Sequence, residues 1–472
     1  MVAMARALII GSGPNGLAAA ITLAQAEVDV TVVESADRIG GGMRSDELTA
    51  PGVISDVCSA VHPFAAASPF FAAQSLADHG LELLQPDIMV AHPLDGGRAA
   101  SLQRSLDATA ESLGADGHTW QRIMDPLVAQ FDQLADDALG PVIHIPKHLA
   151  TFVRFGLQAA VPATLFARRF ATPEMQALFA GNAAHIYRPL NRPLTTSAGL
   201  MLSAAAHAVG WPVAKGGSEA IATAMASRLA ELGGLIECGR TVSTASDTAG
   251  FDLVLFDVAP KAVATIGADR LSTSTARALK NWKHGSAAFK LDIAIEGDIP
   301  WEAEACTSAG TVHLGGELSE VAETEKQIDR GVMPDRPFVL VGQQYLCDPS
   351  RSHNGTNPIW SYAHVPHGYT GDATQAILGQ FERFAPGFRE RIVAMSAMSV
   401  TDIEAYNPNY VGGDIATGMN SVMQLLKRPT LRPYSLGVPG WYLCSAAAPP
   451  GAGVHGMCGQ LAAERALADL HQ

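Results

Sequence analysis

Apolar residues arrive along this chain in two rhythms. Residues 7–10 (ALII) are an unbroken apolar run ending at Gly11, residues 28–33 (VDVTVV) alternate into Glu34, and small apolar residues at helical spacing lie between them. This order of strand, glycine turn, helix and strand predicts a βαβ unit. A second α/β stretch follows after residue 205: Ile221, Met225, Leu229 and Leu232 mark one helix face, Gly233 and Gly234 stop the helix, and a strand leads toward Val242. FDLVLFDVAP (251–260) predicts another buried strand. SAAFKLDIAI (286–295), PFVLVGQQYL (337–346) and PIWSYAHV (358–365) predict a β-rich block, and the chain closes with a strand, a glycine turn and a long helix.

From about 100 to 205 the chain is rich in Ala and Leu, with few β-branched runs, and reads as a helical insertion. The predicted organisation is discontinuous. Residues 1–80, 205–265 and 410–472 build a dinucleotide-binding domain; residues 81–204 (helical) and 266–409 (β-rich) build a substrate domain. The longest greasy stretch, residues 149–171, is interrupted by Arg154 and Pro162. It predicts a pair of buried or half-buried helices; a surface for a membrane or a lipophilic substrate is the second reading, with Arg154, Arg168 and Arg169 facing anionic headgroups. No run reaches the length of a transmembrane helix, and the N-terminus lacks the pattern of a signal peptide.

Composition narrows the setting. The 472 residues are 48% hydrophobic with 45 glycines, and the net charge of −14 without a Lys/Arg run argues against a nucleic-acid partner. The six cysteines (Cys58, Cys238, Cys306, Cys347, Cys444, Cys458) are scattered without a C-x-x-C. Reduced thiols in a cytoplasmic protein are expected, and no metal site.

In the first turn, Gly11 permits the tight bend, Gly13 lets the backbone approach a pyrophosphate, and Gly16 lets the helix lie close on the strand. Pro14 and Asn15 open a helix whose free N–H groups favour phosphate. Glu34 is placed to accept from a ribose hydroxyl, with Ser35 beside it. A second glycine cluster, ADRIGGGMRS (36–45), brings Gly41, Gly42 and Met43 close to an extended cofactor, and Arg38 or Arg44 can neutralise diphosphate charge. NAD has no general need of this second cluster. The terminal PPGAGVHGMCG (449–459) aims a helix N-terminus at whatever lies before it, which suits the charge that a reduced flavin gathers at its N1 edge.

Together these motifs resemble the FAD-dependent phytoene desaturase-related oxidoreductases. Within that group they are most similar to the branch of pyridine nucleotide-disulfide oxidoreductase domain-containing protein 2, with the flavin amine oxidases as more distant relatives. HAVGWPVAKGGSEAIA, FKLDIAIEGDIPW, NPNYVGGDI and YLCSAAAPPGAGVHGMCG extend the resemblance over nearly the whole chain. It implies an α/β fold: a Rossmann-like FAD-binding domain of the glutathione reductase type with an inserted α+β substrate domain. It also implies non-covalent FAD, with adenosine near Glu34 and Val242, isoalloxazine between the 41–44 loop and the Val454-His455-Gly456 turn, and Gly453 among the cofactor-binding residues.

Such chemistry asks little of the protein beyond placing a C–H bond and handling one proton. Lys290 shares a strand face with Asp292, opposite Phe289 and Leu291. That face is either solvated or, as the resemblance to amine oxidases implies, carries Lys290 to water at the flavin. His62 is the candidate for proton transfer, a loop histidine being the alternative; for His455 the backbone N–H matters more than the ring. Trp360 and Tyr362, alternating with His364, and Tyr345 on a neighbouring predicted strand are candidate substrate-pocket residues or ordinary core. The expected activity is a desaturase or dehydrogenase that moves a hydride from a largely apolar, cyclic or polyene substrate to flavin with C=C formation, passing electrons to oxygen or a quinone. A flavin amine oxidase, a redox-neutral flavin-dependent isomerase and a non-catalytic flavoprotein are the alternatives. The apolar insertion offers a peripheral membrane contact or a homodimer surface.

Overall fold

The computed structural model describes residues 4–430 and 432–470. Two sheets organise them. The first is five-stranded and parallel, in the order Trp441–Leu443, Leu253–Phe256, Arg6–Ile10, Asp29–Val33, Leu235–Glu237. Its central strands are covered on both faces, which is why residues 7–10 and 253–256 read as continuous apolar runs. Pro14–Gln25 follows the first strand with Pro14 at its start, where a missing N–H costs nothing, and packs against the terminal helix Met457–Leu470.

The second sheet has seven strands in the order Ile392–Met398, Ala287–Glu296, Thr356–Val365, Val339–Gly342, Ala309–Leu314, Ile88–Leu94, Arg98–Gln103. All neighbours are antiparallel except Ala309–Leu314 beside Ile88–Leu94. Helices Pro173–Ala184 and Thr196–Ala208 are buried almost all round. The mixed α/β architecture is the one the sequence predicts.

Three local expectations need correction. The 100–205 block is not wholly helical at its start, because Arg98–Gln103 forms a hairpin with Ile88–Leu94 and joins the large sheet; the Ala-rich sequence RAASLQ hides a strand that pairing imposes. The strand after Gly234 stops at Glu237, an exposed sheet edge, and Val242 lies beyond it. Val339–Gly342 is short, and residues 344–346 turn away in a single helical turn, so Tyr345 is not on a strand. The greasy stretch forms Leu149–Ala159 and a second helix bent 92° from it; no single described helix is long and apolar enough to cross a membrane.

Candidate functional site

The glycine turn is built by close approach. Gly11 has φ +102°, and a Cβ there would stand 2.7 Å from the Asp257 carbonyl oxygen; one on Gly16 would stand 2.1 Å from the Gly11 oxygen. The following helix has no side-chain cap, and Gly11, Gly13, Pro14 and Asn15 border a cavity of about 620 Å³. Glu34 braces the turn: Oε2 accepts from Ser12 N (3.0 Å) and Oγ (2.7 Å), Oε1 from Ala36 N (2.9 Å) and more weakly from Ser35. Glu34, Ser35 and Val242 line the same end of the cavity.

The two arginines part company. Arg44 is buried, lies 3.5 Å from Glu34, spans Tyr406 and lines the cavity. Arg38 does not line it: its guanidinium turns outward to Asp46 (2.6 Å) and Glu219, so local carboxylates claim the charge expected to meet a diphosphate. Between Gly13 and Gly16, Asp257 receives the Gly16 N–H at 2.8 Å, and burial, reinforced by Glu34, pushes its carboxyl well above the usual range. Sequence reading passed over Asp257, which follows an unremarkable buried strand.

Gly41–Met43 fold as one tight turn. A Cβ on Gly41 would meet Gly13 Cα at 3.2 Å and one on Gly42 the Tyr410 hydroxyl at 2.3 Å, while Tyr406 donates to the Gly41 oxygen at 2.8 Å. Gly453 and Val454 line the same cavity as this turn, but His455 does not. Its ring is a helix cap: Nδ1 accepts from Met457 N (3.0 Å), Nε2 donates to the Gly451 oxygen (3.1 Å), and burial lowers its pKa to about 4.

The far end is aromatic. Tyr187, Trp360 and Tyr362 line it with Leu202, Trp211 and Leu340. The Tyr187 hydroxyl donates to that of Tyr362 at 2.8 Å, and Trp360 donates to the Cys58 carbonyl at 3.1 Å. Tyr187 holds a φ of 57°, a strained state for a bulky residue. His185 also lines this end; its Nε2 is shared with that of His313 at 3.0 Å, and burial brings it to about 3. The sequence carries no local signal for His185 or Tyr187, which a helix end delivers to the cavity.

His62 lines the cavity. Ser218 spends its proton on the Ser59 carbonyl (2.7 Å), so His62 Nε2 donates to Ser218 (2.8 Å) and Nδ1 is unprotonated and without a protein partner. Burial lowers its pKa to about 4. Lys290 is not on a solvated face, nor in the main cavity. It is buried with Asp292, which accepts from its ammonium, in a small chamber behind Tyr362, Tyr406 and Tyr410. Burial raises Asp292 to about 6 despite the lysine. His364 packs behind Tyr187 against Glu325, and Tyr345 lies apart from the cavity, donating to Asp298.

Residues 9–84 match the NAD(P)-binding Rossmann-like domain family. The chain is 24% identical to pyridine nucleotide-disulfide oxidoreductase domain-containing protein 2 of Mus musculus, over 98% of this chain and 93% of that one. The likeness extends over nearly the full length of both chains. The protein of the same name from Rattus norvegicus is 23% identical over the same shares. Among solved structures, an oxidoreductase from Methanosarcina mazei aligns with a TM-score of 0.64 at 14% identity, covering 98% of this chain and all of that one. Cyclohexylamine oxidase from Brevibacterium oxydans aligns at 0.61 and 14% over the whole of both chains. At that identity the likeness is one of fold.

Proposed function

We propose that this chain is an FAD-dependent oxidoreductase that takes hydrogen from a carbon skeleton and forms a C=C bond. One observation carries the reading: a single cavity runs from the bare glycine turn and Glu34 to an aromatic chamber walled by Tyr187, Trp360 and Tyr362. The residues fit an extended dinucleotide. Glu34 and Val242 would hold the adenosine end, the uncapped helix start at Gly13 and Pro14 would receive the diphosphate, and Gly41, Gly42, Gly453 and Val454 would offer backbone to a flat ring. FAD bound there would supply the two-electron acceptor.

The chain's own residues exclude water and manage the proton. The Tyr187–Tyr362 bond fixes the aromatic wall, and the unprotonated Nδ1 of His62 is a neutral acceptor at pH 7. Lys290, behind the wall, acts by holding that wall rather than by touching substrate. Electrons leave to oxygen or a quinone, and the exposed helix Leu149–Ala159 meets a membrane or a second copy. Oxidation of a cationic amine suits the site less well, because the only carboxylates lining the cavity among the described residues, Glu34 and Asp257, stand beside the glycine turn.

The first test is the absorption spectrum of the purified protein and of its supernatant after denaturation. Free FAD, followed by anaerobic bleaching with cyclic ketones or alkenes, supports the proposal. A colourless protein that FAD cannot reconstitute overturns it, and bleaching by amines with peroxide release moves the reading to an amine oxidase.

A further inference from the structure

Two arginines are deeply buried in the second half of the chain, and their surroundings differ. Arg351 sits between two carboxylates, Asp56 (2.6 Å) and Asp348 (3.0 Å). Arg428, 3% exposed, has none within salt-bridge distance among the described residues, yet it lines the cavity. Nη2 donates to the Ala446 carbonyl at 3.0 Å, Nη1 reaches Asn420 Oδ1 only at 3.4 Å, and Nε has no acceptor. The guanidinium lies 5.7 Å from the Trp282 ring centroid, and bare Gly451 admits it, since a Cβ there would stand 2.7 Å from Nη1. Asp414, the carboxylate that acts on it most, is already engaged by Gly285 N (2.8 Å), Ala416 N (3.0 Å) and His284.

A guanidinium keeps its charge at any pH a protein meets. Buried without a counter-ion it is strongly unfavourable, whereas a planar oxyanion would satisfy its charge and its donors together. Asn420 ties Arg428 to the aromatic end: its Nδ2 donates to the Ile186 oxygen at 3.2 Å, and its own oxygen accepts from Arg188 at 2.9 Å, on either side of Tyr187.

We propose that Arg428 anchors an oxyanion inside the cavity, either a carboxylate on the substrate or the diphosphate of the cofactor. The tie to Ile186 and Tyr187 favours the first source. The substrate class is then an apolar or aromatic skeleton that ends in a carboxylate, and Arg428 sets its orientation. The second source rests on the FAD reading; the first does not.

The test compares wild type with Arg428→Met and Arg428→Lys. One arm titrates cofactor-free protein with FAD and with riboflavin, which lacks phosphate, by flavin fluorescence. The other adds phenylacetate or neutral phenylacetamide, read by melting temperature in cofactor-free protein and by the visible flavin band in loaded protein. A substrate anchor predicts that phenylacetate binds wild type at least tenfold more tightly than phenylacetamide, that R428M erases the difference, and that R428K keeps part of it. A diphosphate anchor predicts at least tenfold weaker FAD binding in R428M with riboflavin unchanged. Wild-type behaviour of a folded R428M with FAD and riboflavin, together with no preference for phenylacetate over phenylacetamide in the wild type, overturns the proposal; if R428M does not fold, the same comparison is made with R428K. If wild type takes up no flavin at all, the functional reading fails, while the melting-temperature arm still decides the anchor.

Discussion

Lys290 and Asp292 show how a charged pair can hide in an apolar sheet. Each neutralises the other, so the strand Ala287–Glu296, second from the sheet edge, buries both on the face that alternation alone assigns to solvent. Removing one partner leaves the other uncompensated, which costs about 3–5 kcal/mol in buried pairs, whereas replacing both by apolar groups is often near neutral. Lys290→Met is therefore expected to destabilise the protein by about 3–5 kcal/mol, and Lys290→Met with Asp292→Leu to recover most of that loss. Urea unfolding of the two variants measures both. Equal stability of the single and double variants would show that the pair is not coupled. The same residues explain a limit of sequence reading: a lysine on a strand carries no mark of whether its partner is water or an aspartate two positions on. Arg38 and Arg44 make the complementary case, since only the positions of Asp46 and Glu219 turn one away from the cavity that the other lines.

Elements were legible where a local rule fixes them. The first βαβ unit, the helix Glu219–Glu231 and the strand Leu253–Phe256 follow from periodicity and glycine stops, whereas Ile88–Leu94 and Arg98–Gln103 owe their state to partners distant in sequence. The cavity was legible at its nucleotide end, because one short segment builds the turn there. At its aromatic end Trp360 and Tyr362 were candidates from strand alternation, whereas His185 and Tyr187, at one helix end, and Arg428, on a distant loop, share no motif with them. Close packing of the two helices at the turn gives a test at this scale. A Cβ on Gly459 of the terminal helix would stand 1.9 Å from the Asn15 carbonyl oxygen in the first helix. Gly459→Ala is expected to cost about 1–3 kcal/mol, as overpacking does, and to weaken cofactor binding because Asn15 borders the cavity; chemical unfolding and a flavin titration measure the two effects. The exposed face of the half-buried helix Leu149–Ala159 and the loop before it give another. Leu157 on the helix is 73% exposed and Ile145 in the loop 94%. Flotation with anionic vesicles is expected for wild type and to be lost in Ile145→Glu with Leu157→Glu, while a concentration-dependent dimer by light scattering, without flotation, assigns the surface to a second copy.

At the scale of the whole molecule, the histidines set how stability depends on pH. Burial lowers His62, His92, His207 and His455 to about 4 and His185 to about 3, and pushes His313 well below its ordinary value. Each is neutral when folded and free to take a proton near pH 6.5 when unfolded. The unfolded chain therefore binds more protons across the interval from about 6.5 down to 4, and stability falls as pH falls through it, by up to about 1.4 kcal/mol per pH unit for each histidine. Two carboxyls act in the opposite sense. Asp292, raised to about 6, and Asp257, raised well above its ordinary range, stay protonated when folded over pH values at which the unfolded chain has released those protons. Their contributions decline as pH rises above the unfolded value, Asp292 up to about 6 and Asp257 beyond it. Six histidines outweigh two carboxyls, so unfolding near pH 5.5 should take up roughly four protons. Thermal melts between pH 7.5 and 5 read this directly: the melting temperature is expected to hold near neutrality and then fall with increasing steepness below pH 6.5. A flat profile would mean that these rings meet water or a counter-charge in solution, and the tightly closed packing around His92 and His313 would have to be abandoned with it.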